Sequence, residues 1–196
     1  MIGNDIVDLK VAALATRWNN QRFIEKVFSN SEQEILLKAK DSFKITWMLW
    51  SMKESAYKVH LRRCSKCFFA PRKLECRLVS SRDGVVTIGH EKYFTSGLVH
   101  ENYIYTLAYE NDSRIHQRIQ GKCFPIDEAS YSNQHAECYH HVIQDVSGEY
   151  KTHNRHFSIK KNKQGVPFIY KDDIKLPIVL SITHHGLFCA YAYVKN

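Results

Sequence analysis

The period of the apolar residues changes along this chain and then changes back, which limits what it can fold into. From Ser42 to His60 the residues Ile45, Leu49, Met52, Ala56 and Val59 recur at spacings of three and four, the stripe of a helix with one face on a core. Beyond Cys67 the pattern shortens to that of strands. Leu74 to Ser80, Val85 to His90 and Tyr103 to Tyr109 are β-branched or aromatic, with Arg82-Asp83-Gly84 as a hairpin turn. The order then returns. A helical stretch from Asp127 to Val146 precedes Phe157-Ser158-Ile159, a turn over Asn162 to Gly165 and a strand through Tyr170. Ile178 to Thr183 and Leu187 to Val194 read as a closing pair of strands. Helix followed by meander, twice over, predicts an α+β fold of two similar lobes with antiparallel strands. The repeat is one of architecture, with no residue-by-residue self-similarity.

The remaining segments fill in around this frame. Gly3 to Leu9 reads as a short strand burying Ile2 and Ile6, and Asp8 is placed to cap a helix over Leu9 to Thr16. Ser31-Glu32-Gln33-Glu34 has the form of a capping box that starts a helix through Lys40. Asn111 to Phe124 is polar and aperiodic, and reads as a connector. A chain of 196 residues, 44% apolar and 24% charged, buries a real core, as one large domain or two small lobes. No apolar run approaches the roughly 20 residues of a spanning helix, and the N-terminus lacks the pattern of a signal peptide. A cytoplasmic protein with its six cysteines reduced is expected. The net charge of +8 favours an anionic partner without choosing among nucleic acid, phosphorylated cofactor and acidic protein.

Chemistry concentrates on the long helix. In Trp50-Ser51-Met52-Lys53-Glu54-Ser55-Ala56-Tyr57-Lys58, Glu54 and Lys58 stand one turn apart, beside an aromatic face of Trp47, Trp50 and Tyr57. By spacing alone the pair is an ordinary solvated salt bridge worth a few tenths of a kcal/mol. An acidic strand alters that reading. Mg²⁺ takes one or two protein carboxylates and completes its octahedron with water and phosphate oxygens, and Asp5 and Glu54 would be such a pair.

Gly3-Asn4-Asp5-Ile6-Val7-Asp8-Leu9 and Trp50-Ser51-Met52-Lys53-Glu54-Ser55 resemble the two signature motifs of the 4′-phosphopantetheinyl transferases. Gly165-Val166-Pro167 and Ser181-Ile182-Thr183-His184 resemble that family's glycine-proline turn and Ser-x-Ser-His strand. The resemblance implies transfer of the phosphopantetheine arm of coenzyme A to a serine of an acyl or peptidyl carrier protein, with release of 3′,5′-ADP. It implies Mg²⁺ on Asp5 and Glu54, with Glu54 also the general base. It gives Lys58 to the diphosphate and Thr183 and His184 to the 3′-phosphate. Lys44 is a further candidate phosphate contact. The alternative is a module of the same fold that binds coenzyme A or a carrier without transfer.

The motifs also depart from the family pattern. One branch has an acid two residues after the first Asp, where Val7 stands here; Asp8 reads as a helix cap. Val166 occupies a position that is often basic, so a phosphate contact is absent or comes from elsewhere, with Lys161, Lys163 and Arg155 as candidates. Lys53 lies in the motif but points away from Glu54. The order of the motifs matches the short, trimeric members, whereas the length matches the two-lobed ones. A pseudo-dimer reconciles the two, with residues 1–120 carrying the Asp/Glu motifs and 121–196 the Ser-x-Thr-His motif. One lobe with a long insertion that trimerises stays open.

Three other signals carry less. Cys64-Ser65-Lys66-Cys67 has zinc-ligand spacing but no second ligand pair at finger or ribbon distance. In Cys138-Tyr139-His140-His141 either histidine could reach a nucleotide from the second lobe. The basic stretch from Lys58 to Lys73, with Arg62, Arg63, Lys66 and Arg72, is either a solvated loop or a docking face for an acidic carrier-protein helix. No nucleic-acid module and no membrane segment is recognised.

Overall fold

The computed structural model describes residues 1–15, 18–64, 70–110 and 115–195. The chain opens with strand β1 (Ile2–Asp8), followed by helices α1 (Leu9–Leu14), α2 (Gln21–Val27), α3 (Asn30–Lys38) and α4 (Ser42–Leu61). Strands β2 (Leu74–Leu78), β3 (Asp83–Ile88), β4 (Glu91–Val99) and β5 (Tyr103–Tyr109) come next, then the short helix α5 (Ile115–Arg118) and β6 (Gln120–Pro125). Helix α6 (Tyr131–Tyr150) precedes β7 (Phe157–Lys161), β8 (Pro167–Lys171), β9 (Ile174–Lys175), β10 (Ile178–His185) and β11 (Phe188–Lys195). The fold is α+β with antiparallel sheets. One sheet runs β1-β5-β4-β3-β2, a second β10-β11-β6 and a third β7-β8-β9.

Helix α4 lies across the first sheet. Leu49, Met52, Ala56 and Val59 are fully buried there, the Leu, Met and Val each contributing roughly 1.5–3 kcal/mol of apolar burial. Small residues let the helix come close to β1. A Cβ on Gly3 would lie 2.2 Å from the Ser55 carbonyl, and Ser51 Oγ meets Thr106 Oγ1 on β5 at 2.8 Å. This close approach brings the α4 side chains at Glu54 and Lys58 level with Asp5.

Lys53, one residue before Glu54, faces the other way and is 1% exposed. Its ammonium donates to the Val27 carbonyl at 2.9 Å, the Pro71 carbonyl at 2.9 Å and Glu32 Oε2 at 2.7 Å. Glu32 in turn accepts from the Ser29 amide at 2.7 Å and, through Oε1, from the Cys76 amide at 2.6 Å. All three ammonium donors and both carboxylate oxygens are engaged, as an ion pair in a dry core requires. The pair ties α2, α3, α4 and β2 together.

The second core lies beneath α6 and includes Val142, Val146, Ile169, Leu180, Tyr191 and Tyr193. Two residues along a strand and four along a helix advance by nearly the same distance, about 6 Å. Tyr191 and Tyr193 on β11 therefore reach Asp145 Oδ2 at 2.5 Å and Glu149 Oε1 at 2.7 Å on α6.

Several expectations shift. The capping box starts at Ser29, whose amide Glu32 reaches, and not at Ser31. The helix expected from Asp127 begins at Tyr131. The first hairpin turns over Ser80 to Arg82, because Asp83 and Gly84 already pair with Ser96 and Thr95. Strand β4 and helix α2 were not foreseen. The supposed connector to Phe124 contains β6, which pairs with β11 from Gln120↔Tyr193 to Pro125↔Phe188.

Lys53→Met would leave Glu32 buried without a counter-charge, so the variant should lose about 3–5 kcal/mol of stability. Urea unfolding followed by tryptophan fluorescence measures this. Unchanged stability would deny the pair its structural role.

Candidate active site

All seven residues of β1 are buried, including Asp5 and Asp8. Its free edge faces β10. The Asn4 amide donates to Ser181 Oγ at 3.0 Å, Thr183 Oγ1 donates to Asp5 Oδ1 at 3.1 Å, and the Asp8 amide donates to His185 Nδ1 at 2.9 Å. Arg62, at the end of α4, crosses to the Leu180 carbonyl, and its burial pulls the guanidinium down to about 10. Asp8 is a cap and a clasp. Its Oδ1 accepts from the Lys10 and Val11 amides at 2.9 and 3.2 Å, and its Oδ2 accepts from Leu187 at 3.0 Å. Gly186 makes room for this: φ is +56°, and a Cβ would meet Asp8 Oδ2 at 2.2 Å.

Along this seam is a cavity of about 290 Å³ lined by Asp5, Lys58, His135, Lys161, Gly165, Pro167, Ile182, Thr183 and His184. Lys58 Nζ donates to the Asn4 carbonyl at 2.7 Å and to Asp5 Oδ1 at 3.2 Å. Glu54 is partly buried and has no hydrogen-bond partner among the described residues. Burial first, and then the nearby charge of Asp5, push its carboxyl up to about 7 against the pull of Lys58. His184 is pushed down to about 4, by burial first and then by His135, Lys58, Lys161 and His185. It is a neutral imidazole at pH 7. Its ring lies 5.5 Å from that of His135 and 5.7 Å from that of Tyr131.

Two carboxylates that repel each other, one without a hydrogen bond and the other holding Lys58 and Thr183 through a single oxygen, leave hard oxygen donors unmet. That set suits a divalent cation such as Mg²⁺, which takes its other ligands from water and phosphate. Among the described residues no three His, Cys, Asp or Glu side chains gather into a fuller cage. The structure thus brings Asp5, Lys58, Thr183 and His184 to one cavity, with Glu54 coupled to Asp5. It does not bring Lys44 there. Lys44 is on the first turn of α4, about 15 Å along the axis from Glu54, and pairs with Asp41 at 3.8 Å.

Other sequence signals separate in the same way. His140 is exposed and His141 packs on Phe124 at 4.2 Å, so neither lines the cavity; His135, one to two turns earlier on α6, does. Only its rotation about α6 decides this, and nothing in the sequence marks it. Arg62 is used on the seam, Arg63 pairs with Glu91 and Glu110 at 3.2 Å each, and Arg72 bonds the Glu25 carbonyl and Asn30. The basic stretch is therefore largely consumed within the fold. Lys66 and Cys67 lie outside the described residues, so the Cys64–Cys67 spacing gains no geometry.

With its carboxyl at about 7 when folded and near 4.5 when unfolded, Glu54 lowers stability as pH rises from 4.5 to 7. Allowing for partial exposure, this is about 1–2 kcal/mol. Glu54→Gln should then melt above the parent at pH 8 and close to it at pH 4.5. Melting curves at the two pH values measure the gap, and a constant gap would remove the assigned titration.

A model of the 4′-phosphopantetheinyl transferase superfamily matches residues 1–108. Among solved structures, holo-[acyl-carrier-protein] synthase of Thermotoga maritima is similar at 13% identity, over 89% of this chain and 83% of its own, with a TM-score of 0.43. No curated protein matches the chain.

Proposed function

The chain belongs to the 4′-phosphopantetheinyl transferase superfamily, whose model spans just over half of it, and from that premise we propose that it is a transferase of the holo-[acyl-carrier-protein] synthase type. It moves 4′-phosphopantetheine from coenzyme A to a serine of an acidic acyl or peptidyl carrier protein in the cytoplasm. One observation chiefly supports this reading. Thr183 Oγ1 bonds Asp5 Oδ1 across 178 positions of sequence, so the acidic motif at one end and the Thr-His motif at the other share one cavity with Lys58.

In this reading the two cores correspond to lobes at residues 1–120 and 121–196, a monomeric pseudo-dimer with the cleft between them. Mg²⁺ held by Asp5 and Glu54 would offset the charge of the diphosphate. Glu54 takes the proton of the carrier serine, directly or through a water. The serine Oγ forms a bond to the phosphorus that carries pantetheine. The bond from that phosphorus to the bridging oxygen breaks, and 3′,5′-ADP leaves with the electron pair. Lys58 is placed to hold the diphosphate and offset the charge of the leaving group. His184 donates a ring N–H to the 3′-phosphate, and the anion raises the imidazole from its depressed value; Thr183 would join it by turning its hydroxyl away from Asp5. Lys44 has no part in this scheme.

Incubation with Mg²⁺, coenzyme A and an apo carrier protein should add one phosphopantetheine mass to the carrier. Glu54→Gln should slow the transfer by at least 10²-fold, the low end of a general base's contribution. The rate should fall on acidification, because ionised Glu54 is required, with its midpoint at or below pH 7. Coenzyme A that binds without any mass shift would leave a binding module in place of an enzyme.

A further inference from the structure

The seam between the two halves of the chain has two sides, and only one is closed. On the first side β1 lies against β10, where the candidate active site is. Strand β6 stands to the second sheet as β1 stands to the first, each the outer partner of the last strand in its half. Between β6 and the β4–β5 hairpin, on the second side, is a cavity of about 490 Å³.

The ladders match the two sides rung by rung. Asp5 pairs with Thr106, the fourth residue of β5, and Lys122 with Tyr191, the fourth of β11. Thr183 and His184 pair with the third and second residues of β11, and Leu98 and Val99 with the third and second of β5. Where the first side has an acid held by Lys58 of α4 at 3.2 Å, the second has Lys122 held by Asp145 of α6 at 2.6 Å. Where the first has a hydroxyl and an imidazole, the second has two aliphatic side chains. The signs are exchanged and the polar strand is made apolar, while the space between the strands is kept.

The walls define what this space can take. Tyr103, Tyr105 and Leu107 alternate along one face of β5, with Leu98, Ile119 and Ala192 around them. Lys122, the one charged side chain among the described residues of the lining, is paired with Asp145, so an anion meets no free counter-charge. Burial raises the Cys123 thiol to about 12, which leaves it uncharged at pH 7. Burial likewise raises the Tyr105 hydroxyl, which stays protonated. Beside that hydroxyl is the fully buried Asn4 carboxamide, whose nitrogen and oxygen make no hydrogen bond of normal geometry among the described residues. An unmet buried amide is costly. The amide can donate to the Tyr105 oxygen, which then gives its own proton to an acceptor in the cavity.

We propose that this second cleft binds an uncharged ligand with a cyclic apolar body and a carbonyl acceptor, held by Tyr105 with Asn4 behind it. The cavity is of the size that takes such small molecules. The site does not rest on the transferase reading and can fail without it.

Prodan, an uncharged naphthyl ketone whose emission reports its surroundings, is the probe. Titration should give saturable, blue-shifted emission with one site per chain. Anilinonaphthalene sulfonate, aromatic but anionic, should bind at least tenfold more weakly. Tyr105→Phe keeps the wall and removes the donor, and should weaken prodan binding about threefold to tenfold, the worth of one neutral hydrogen bond. Ser96→Trp, which fills the cavity from β4, should abolish it. Glu54→Gln, which alters only the first side, should bind the probe as the parent does. No saturable binding, equal affinity for the sulfonate, or unchanged affinity in either Tyr105→Phe or Ser96→Trp would overturn the inference. Loss of binding in Glu54→Gln would put the probe in the first cleft and overturn it as well.

Discussion

A strand that buries two carboxylates sets the terms for the rest of this molecule. Asp5 and Asp8 sit on β1 with almost no access to water, and each needs partners to be tolerated there. Those partners come from three places. Lys58 comes from α4, Thr183 and the Leu187 amide come from the β10–β11 hairpin, and the first amides of α1 come from the chain just beyond. Satisfying two acids thereby fixes the position of the long helix, the C-terminal hairpin and the chain exit from β1. The cleft is where that satisfaction is incomplete, because Glu54 adds a third carboxylate that Lys58 answers only in part.

Adjacent residues of one motif show how far environment separates like chemistry. Lys53 and Glu54 are neighbours in sequence and point to opposite sides of α4. Lys53 finds Glu32 and two carbonyls, and becomes a closed internal tie. Glu54 finds Asp5 and only part of Lys58, and is left poised near neutrality. Spacing alone describes both as charged residues of an amphipathic helix. The difference lies in what packs against each face, which one sequence does not contain.

Much of the architecture was legible because strong local patterns agree with the tertiary outcome. The apolar stripe of α4, the β-branched runs of β5 and β10 and the Asp8 cap are of this kind. Strand β4 was not, since it begins with Glu91-Lys92 and carries Gly97, and it owes its form to β3 and β5 on either side. Strand β6 is polar and exists as the outer partner of β11. The misplaced cap at Ser31 reflects two serines near Glu32, between which only the reach of the carboxylate decides. In the site, Asp5, Lys58, Thr183 and His184 stood out through motifs. Lys161 was one of three cations named, and it lines the cavity. His135 was silent, and Lys44 was misplaced by three helical turns.

The contact between Asp5 and Thr183 also has a bearing on time. It closes a loop of 178 positions, so the cleft has no counterpart in a chain still being made. The first sheet and α4 have their own core and can collapse early, whereas β1 must wait with its edge open and its acids unanswered until β10 arrives. Assembly of the site is therefore a late event in folding. Until then the open edge is the surface on which a stray strand could pair.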